Sequence, residues 1–206
     1  MKNGEWQLEK EPLHFDKADV AGLVPGFAFG KILAEHDTNV FIGLSPCGVG
    51  GSSIHMWEPS QYYAPTKSYP YEDAIQRTRV AMRTGVLKGI IWHQGESDSD
   101  SLQSIVYEIK LVELVKKFRK DLKIKSLPFN AGTIGAFNVD THPFAKRVNA
   151  AIEALPKKVK YAVVVHTEVL SHKRDVTHFN TASSRELGLR YATVVIHKFN
   201  KDKKSQ

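Results

Sequence analysis

The run Tyr161-Ala162-Val163-Val164-Val165 constrains this chain more than any other feature. Three consecutive valines suit a strand buried on both faces, because branched side chains pack well on a pleated surface and a strand covered twice shows no polar alternation. Such a strand needs helices on either side, and the chain has sequence for them. Val40-Phe41-Ile42-Gly43-Leu44 and Gly89-Ile90-Ile91-Trp92 read as two further buried strands, and residues 127–132 as a weaker one. Helical spacing fills the gaps. Leu102, Ile105, Ile109, Val112 and Val115 recur every three or four residues, as one apolar helix face does, behind the capping oxygens of Ser99, Asp100 and Ser101. Thr141 and Pro143 mark the start of another helix, with Phe144, Val148, Ala151 and Leu155 as its inner face. Ser183 and Glu186 have capping-box spacing ahead of Leu187, Tyr191 and Val194. Further helices are expected near residues 26–35 and 71–86. Strands alternating with helices predict an α/β fold: a mostly parallel sheet with helices on both faces.

At 206 residues, 42% hydrophobic and 25% charged, the chain reads as one domain over 1–206 with a real core. No run of about 18 apolar residues occurs, so no membrane partner is expected. The opening Met-Lys-Asn-Gly-Glu-Trp has no apolar stretch behind its charge. As written it carries no signal peptide, which implies the cytoplasm by default, or export if a further segment precedes it. The single Cys47 excludes an internal disulfide. The net charge of +7 could favour an acidic polymer, but most Lys and Arg are scattered along helical patterns. No nucleic-acid recognition motif accompanies them, so no nucleic-acid partner is expected. Only residues 198–206 are densely basic, and they read as a solvated, frayed tail.

Ligands of open α/β sheets bind beyond the carboxyl ends of the strands, so the loops there carry the functional reading. Ser45-Pro-Cys-Gly-Val-Gly-Gly-Ser-Ser-Ile54 follows the first strand, His93-Gln-Gly-Glu-Ser-Asp98 the second, and a loop ending in Asp175-Val-Thr-His178 the last. A carboxylate three residues before a histidine can accept from one imidazole nitrogen and leave the other free as a base. Gly50 and Gly51 let the backbone approach a ligand closely, and the Gly51 N–H could donate to a developing oxyanion. Gln94 offers an amide for the same task, or is a plain surface polar residue. Glu96 is either a site carboxylate or a solvated loop acid. His93, Glu96, Asp98, His166 and His172 could assemble a metal site, but the histidines lie on different elements and no metal-site spacing occurs, so no metal or other cofactor is expected. The Gly48-Val-Gly-Gly-Ser52 stretch lacks the lysine of a phosphate loop. Cys47 has no local cation to activate it.

Together these stretches resemble the SGNH hydrolase superfamily, and within it the sialate O-acetylesterase and acetylxylan esterase type (carbohydrate esterase family six). Gly-Gly-Ser-Ser-Ile54, running on to Trp57, is similar to that branch's GG[TS]SI…W block. Trp92-His-Gln-Gly-Glu-Ser-Asp98 is similar to its WxQGE[SA]D block, and Asp175-Val-Thr-His-Phe179 to its DxxHF block. Gly188-Leu-Arg190-Tyr191 falls where the family often carries LGxRYA. The resemblance implies a three-layer, flavodoxin-like fold and removal of acetyl groups from sugar hydroxyls, so the expected partner is an acetylated carbohydrate. It implies His178 as general base and Asp175 as its orienter, with Glu96 contributing. Gly51 and Gln94 would hold the oxyanion beside Gly50 and Ser52, and Trp57 would stack on a sugar.

One block of the family does not occur here. The GQSN-like turn that carries the nucleophilic serine, with the strand before it, is absent from the 206 residues. Residues 1–16 resemble the segment that follows that block. In this topology the absent strand lies between the segments at Val40 and Gly89, so its loss should leave unpaired edges there. Ser52, Ser53 and Ser97 are the candidates for a substitute nucleophile. The alternative reading is a catalytically inactive, carbohydrate-binding descendant.

Overall fold

The computed structural model describes residues 4–8, 11, 13 and 24–204, with side chains through His197. The sheet holds three parallel strands, β1 (Ile90–His93), β2 (Phe129–Gly132) and β3 (Ala162–Val165), in the order β1-β2-β3. Six α-helices surround it: α1 (Pro25–His36), α2 (Pro70–Ala81), α3 (Gln103–Asp121), α4 (Ala136–Thr141), α5 (Ala145–Lys158) and α6 (Thr181–Lys204).

The register decides which side chains share a face, because successive residues of a strand point to opposite sides. Trp92, Ala131 and Val164 align across the sheet, as do Ile90, Phe129 and Ala162. These six join the larger core, with Leu111, Leu114, Val115 and Phe118 of α3 and Val148, Ile152 and Leu155 of α5. On the opposite face Ile91 and Val165 meet Phe29 of α1 and Leu187 and Tyr191 of α6. Helices therefore cover both faces. Fully burying a side chain such as Leu111 or Phe129 contributes about 1.5–3 kcal/mol. Among the described residues no helix is long and apolar enough to cross a membrane, and no group of three or more His, Cys, Asp and Glu is arranged to hold a metal ion.

The segments expected at 89–92, 127–132 and 161–165 are these three strands. The strand expected at 40–44 does not form: the segment is irregular, and Phe41 is fully exposed at 106%. Its residues suit a strand, but a strand needs a neighbour to pair with, and among the described residues none lies beside it. The helix expected to reach residue 86 stops at Ala81, after which residues 82–84 form turns and Val86 is exposed.

Helix α3 buries only the end of the face its spacing suggested: Val115 is buried and Val112 packs against the core, but the rest of that face is not. Ser104, Tyr107, Leu111, Leu114, Val115 and Phe118 point inward, while Leu102, Ile105 and Ile109 are exposed. Asp100 supplies the helix-start acceptor, taking the Leu102 and Gln103 N–H groups on Oδ1 at 2.8 and 2.9 Å. Thr141 does not open α5. It closes α4, its hydroxyl turning back to the Phe137 and Asn138 carbonyls. Ser183 lies inside α6, and the cap is Asn180, whose Oδ1 accepts from the Ser183 N–H at 2.9 Å. The basic segment from 198 continues α6 to Lys204 rather than fraying at once. The segment 1–16 lies largely outside the described residues.

Candidate active site

The loop after β1 is the hub of the site. Gly95 (φ +149°) turns the chain so that Gln94 and Asp98 face one way and His93 and Glu96 another. The first pair holds the segment 50–54. Gln94 Nε2 donates to the Ser52 carbonyl at 3.1 Å and to Asp98 Oδ2 at 2.5 Å. The same carboxylate oxygen accepts the Ile54 N–H at 2.8 Å. Burial raises the Asp98 carboxyl, and Asp100 and Glu96 add to that, while the Gln94 and Ile54 donors oppose it. From below, the Tyr107 hydroxyl donates to the Gln94 carbonyl at 2.8 Å and lies 3.1 Å from Gln94 Oε1. Burial keeps that phenol neutral, its pKa well above the ordinary value.

This framework fixes the turn ahead of Ser52. Gly51 takes φ +79°, a conformation that side-chain-bearing residues adopt at a cost. The Tyr63 hydroxyl lies 3.1 Å from where a Cβ on Gly51 would stand. Ser52 turns inward: its hydroxyl donates to the Val49 carbonyl at 2.7 Å and accepts from Trp57 Nε1 at 3.0 Å. Trp57, expected to stack on a sugar, is only 5% exposed and packs edge-on against Trp92, with ring centroids 5.0 Å apart. Both side chains therefore belong to the packing beneath the turn. The exposed aromatics of this loop are Tyr62 and Tyr69, whose ring centroids are 5.2 Å apart.

The loop between β3 and α6 carries the other half. Asp175 Oδ2 lies 2.8 Å from His178 Nδ1, and its Oδ1 accepts the His178 and Thr177 N–H groups at 2.8 and 3.0 Å. Partial desolvation alone would raise the Asp175 carboxyl. The two N–H donors and the imidazole outweigh it and hold the group well below the usual carboxylate range. The turn is tight, with Val176 at φ 51°, a strained value for a branched residue. His172 supports it: its Nδ1 accepts the Arg174 and Val176 N–H groups at 3.0 and 3.2 Å. Arg190 anchors the start of the loop, donating to the His166 and Glu168 carbonyls at 2.9 and 3.1 Å.

Glu96 joins the halves. Its Oε1 lies 3.5 Å from His93 Nε2. Burial would raise its carboxyl, but His93 and the field of His178 hold it below the ordinary value. The site thus contains a hydrogen-bonded acid–imidazole pair, a second carboxylate beside His93 and within the field of His178, and a glycine turn braced by an amide.

Residues 1–197 match the family described as carbohydrate esterase, sialic acid-specific acetylesterase. The chain belongs to this family. A relative in Arabidopsis thaliana named "Probable carbohydrate esterase At4g34215" is 32% identical over 201 residues, covering 94% of this chain and 72% of the relative. The crystal structure of the Arabidopsis protein AT4G34215 superposes with a TM-score of 0.84 at 31% identity, over 95% of this chain and 78% of that one. NanS superposes with a TM-score of 0.73 at 18% identity, over 92% of this chain and 76% of that one. XAC1771, a carbohydrate acetylesterase from Xanthomonas citri, does so with a TM-score of 0.65 at 20% identity, over 82% and 39%. The α/β fold of this family member is that of these neighbours.

Sequence reasoning passed over Asp98, Tyr107 and His172 as parts of this esterase-family site. Asp98 could have been found from its position four residues after Gln94. The other two act through backbone groups distant in sequence, or through a turn geometry that no spacing encodes.

Proposed function

We propose that this chain supplies the acid–base and oxyanion-binding parts of a carbohydrate O-acetylesterase, whose nucleophilic serine comes from a segment not contained in these 206 residues. The observation that carries the reading is the Asp175–His178 pair at 2.8 Å, with Nδ1 engaged and Nε2 left to act as the base. In this mechanism the serine hydroxyl attacks the acetyl carbonyl while His178 Nε2 takes its proton. The Gly51 N–H donates to the oxyanion that forms. His178 returns the proton to the departing sugar oxygen, leaving the acetyl group on serine. A water then attacks the acetyl-serine, His178 takes and returns a second proton, and acetate leaves. Asp175 keeps the imidazole in the right tautomer and stabilises the imidazolium, and Glu96 adds a second negative field. Both Gln94 amide hydrogens are engaged by Ser52 and Asp98, so its part is to hold the oxyanion turn in place.

Family membership supports acetylated sugars as the substrate class, with O-acetylated sialic acid first. The test is acetate release from O-acetylated sialic acid and from acetylated xylan, by protein carrying a strand and GQSN-like turn fused ahead of Met1. We expect release that falls at least ~10³-fold in His178→Ala, as for loss of a relay histidine. Release that survives His178→Ala would contradict the reading. A second reading, an inactive sugar-binding descendant, is favoured by one observation: among the described residues no serine hydroxyl hydrogen-bonds to His178. It predicts sugar binding without turnover in the fused protein as well.

A further inference from the structure

The family reading leaves His93 unexplained. Both of its ring nitrogens are buried, and neither has a hydrogen-bond partner at ordinary distance. The imidazole sits at the carboxyl end of β1, on the sheet face covered by α6. Its Nε2 edge faces Glu96 Oε1 at 3.5 Å. Its ring packs on Phe179, with centroids 5.3 Å apart and planes tilted by 57°. Phe179 directly follows His178 and packs in turn on Phe137, with centroids 5.2 Å apart. Beside His93 on β2 is its register partner Gly132, where a Cβ would stand 2.8 Å from His93 Nδ1 and 2.3 Å from the Tyr191 hydroxyl. That hydroxyl donates to the Trp92 carbonyl at 2.7 Å, which holds it in place beside Gly132. A glycine at 132 leaves room for the ring, and nothing larger would.

We infer that His93 is a positioning residue: its edge holds the Glu96 carboxylate toward His178, and its face braces Phe179, the neighbour of His178 in the opposite loop. It touches both halves of the site, Glu96 in one and Phe179 in the other. The inference rests on the esterase reading for its purpose, but its contacts can be tested without turnover. The titratable groups around His93 are Glu96 on its own loop, Tyr191 from α6, and His178 from the loop before α6.

Two variants separate the two contacts. His93→Phe keeps a ring against Phe179 and removes the partner of Glu96. His93→Gln keeps a polar group near Glu96 and removes the ring. Two quantities are read in the 206-residue chain: the carboxyl titration of Glu96 by carbon NMR, and hydrogen exchange of the Thr177 and His178 amides. We expect the Glu96 midpoint to rise in His93→Phe, with exchange little changed. In His93→Gln we expect exchange of both amides to quicken at least ~10-fold, a loss of about 1.4 kcal/mol of local protection. A merely space-filling His93 would leave the Glu96 midpoint unmoved in the Phe variant, and that result would overturn the inference. So would unchanged exchange in the Gln variant. Neither outcome bears on whether the completed protein hydrolyses esters, so the two claims fail separately.

Discussion

The two edges of β1 could hardly differ more. On its inner edge β1 pairs with β2 along its whole length, and the side chains it shares with β2 and β3 are sealed by α3 and α5. On its outer edge no described strand pairs with it, and the segment 40–44 runs irregularly with Phe41 in solvent. The sequences of the two sides are alike: Val40-Phe41-Ile42 is no less apolar and branched than Gly89-Ile90-Ile91. What differs is the neighbour. Strand propensity measures how well a residue fits a pleated, half-buried surface, and it has little effect where no such surface exists. The functional consequence follows the same line. The loops after β1 and β3 carry the hydrogen-bonded groups of the site, and under the proposed function the nucleophile-bearing strand would lie in the space beside 40–44.

The comparison can be broken by stability measurements. The largest expected effect is Phe129→Ala, which empties the sealed side and should cost about 3–5 kcal/mol in urea unfolding. Its counterpart Phe41→Ser should fall within about 0.5 kcal/mol of the parent, as exposed positions do. Equal costs would show that the outer flank is packed after all. In protein fused to the serine-bearing strand, Phe41→Ser should become distinctly more costly.

Asp98→Ala comes next, at about 2 kcal/mol, because it strands the buried Ile54 and Gln94 donors. Asp98→Asn keeps an acceptor for Ile54 and sheds a carboxyl that burial disfavours, so it should cost less than Ala. The gap between the two variants, read from unfolding curves, sharpens the claim that this carboxylate ties the outer turn to the inner loop. Gly51→Ala should cost about 1–2 kcal/mol, the penalty for an L-residue in the left-handed region.

The smallest effect concerns pH. A carboxyl depressed on folding contributes stability that is present above its unfolded pKa, about 3.9 for Asp, and lost as pH falls through the folded value. Asp175 is such a group. Amide protection at Thr177 and His178 should therefore be flat from neutral pH down to about 4 and decline below it. Asp175→Asn should remove that decline. A decline that persists in Asp175→Asn would assign it to another carboxyl.

Much of this was legible in the residues. The three strands that formed were those whose apolar runs had neighbours, and the DxxH and QGE residues lie on the loops that follow β3 and β1. The α3 face was only partly legible, because apolar residues extend onto a second side of that helix. Leu102-Ile105-Ile109 and Tyr107-Leu111-Leu114 both satisfy helical spacing, and only the sheet beneath selects one. Trp57 suggested a sugar platform because aromatic loop residues serve both roles, and its burial against Trp92 depends on a contact 35 residues away in sequence. The cap at Asp100 was among those expected, whereas the α6 cap moved from Ser183 to Asn180 because several capping residue types crowd that helix start.

The most direct test of the account is hydrolysis of p-nitrophenyl acetate by three proteins: the 206-residue chain alone, the chain with a strand and GQSN-like turn fused ahead of Met1, and that fusion with its serine changed to alanine. The account predicts turnover above background in the intact fusion alone. Turnover by the 206-residue chain at the fusion's rate would contradict it, because a nucleophile would then already lie within these residues.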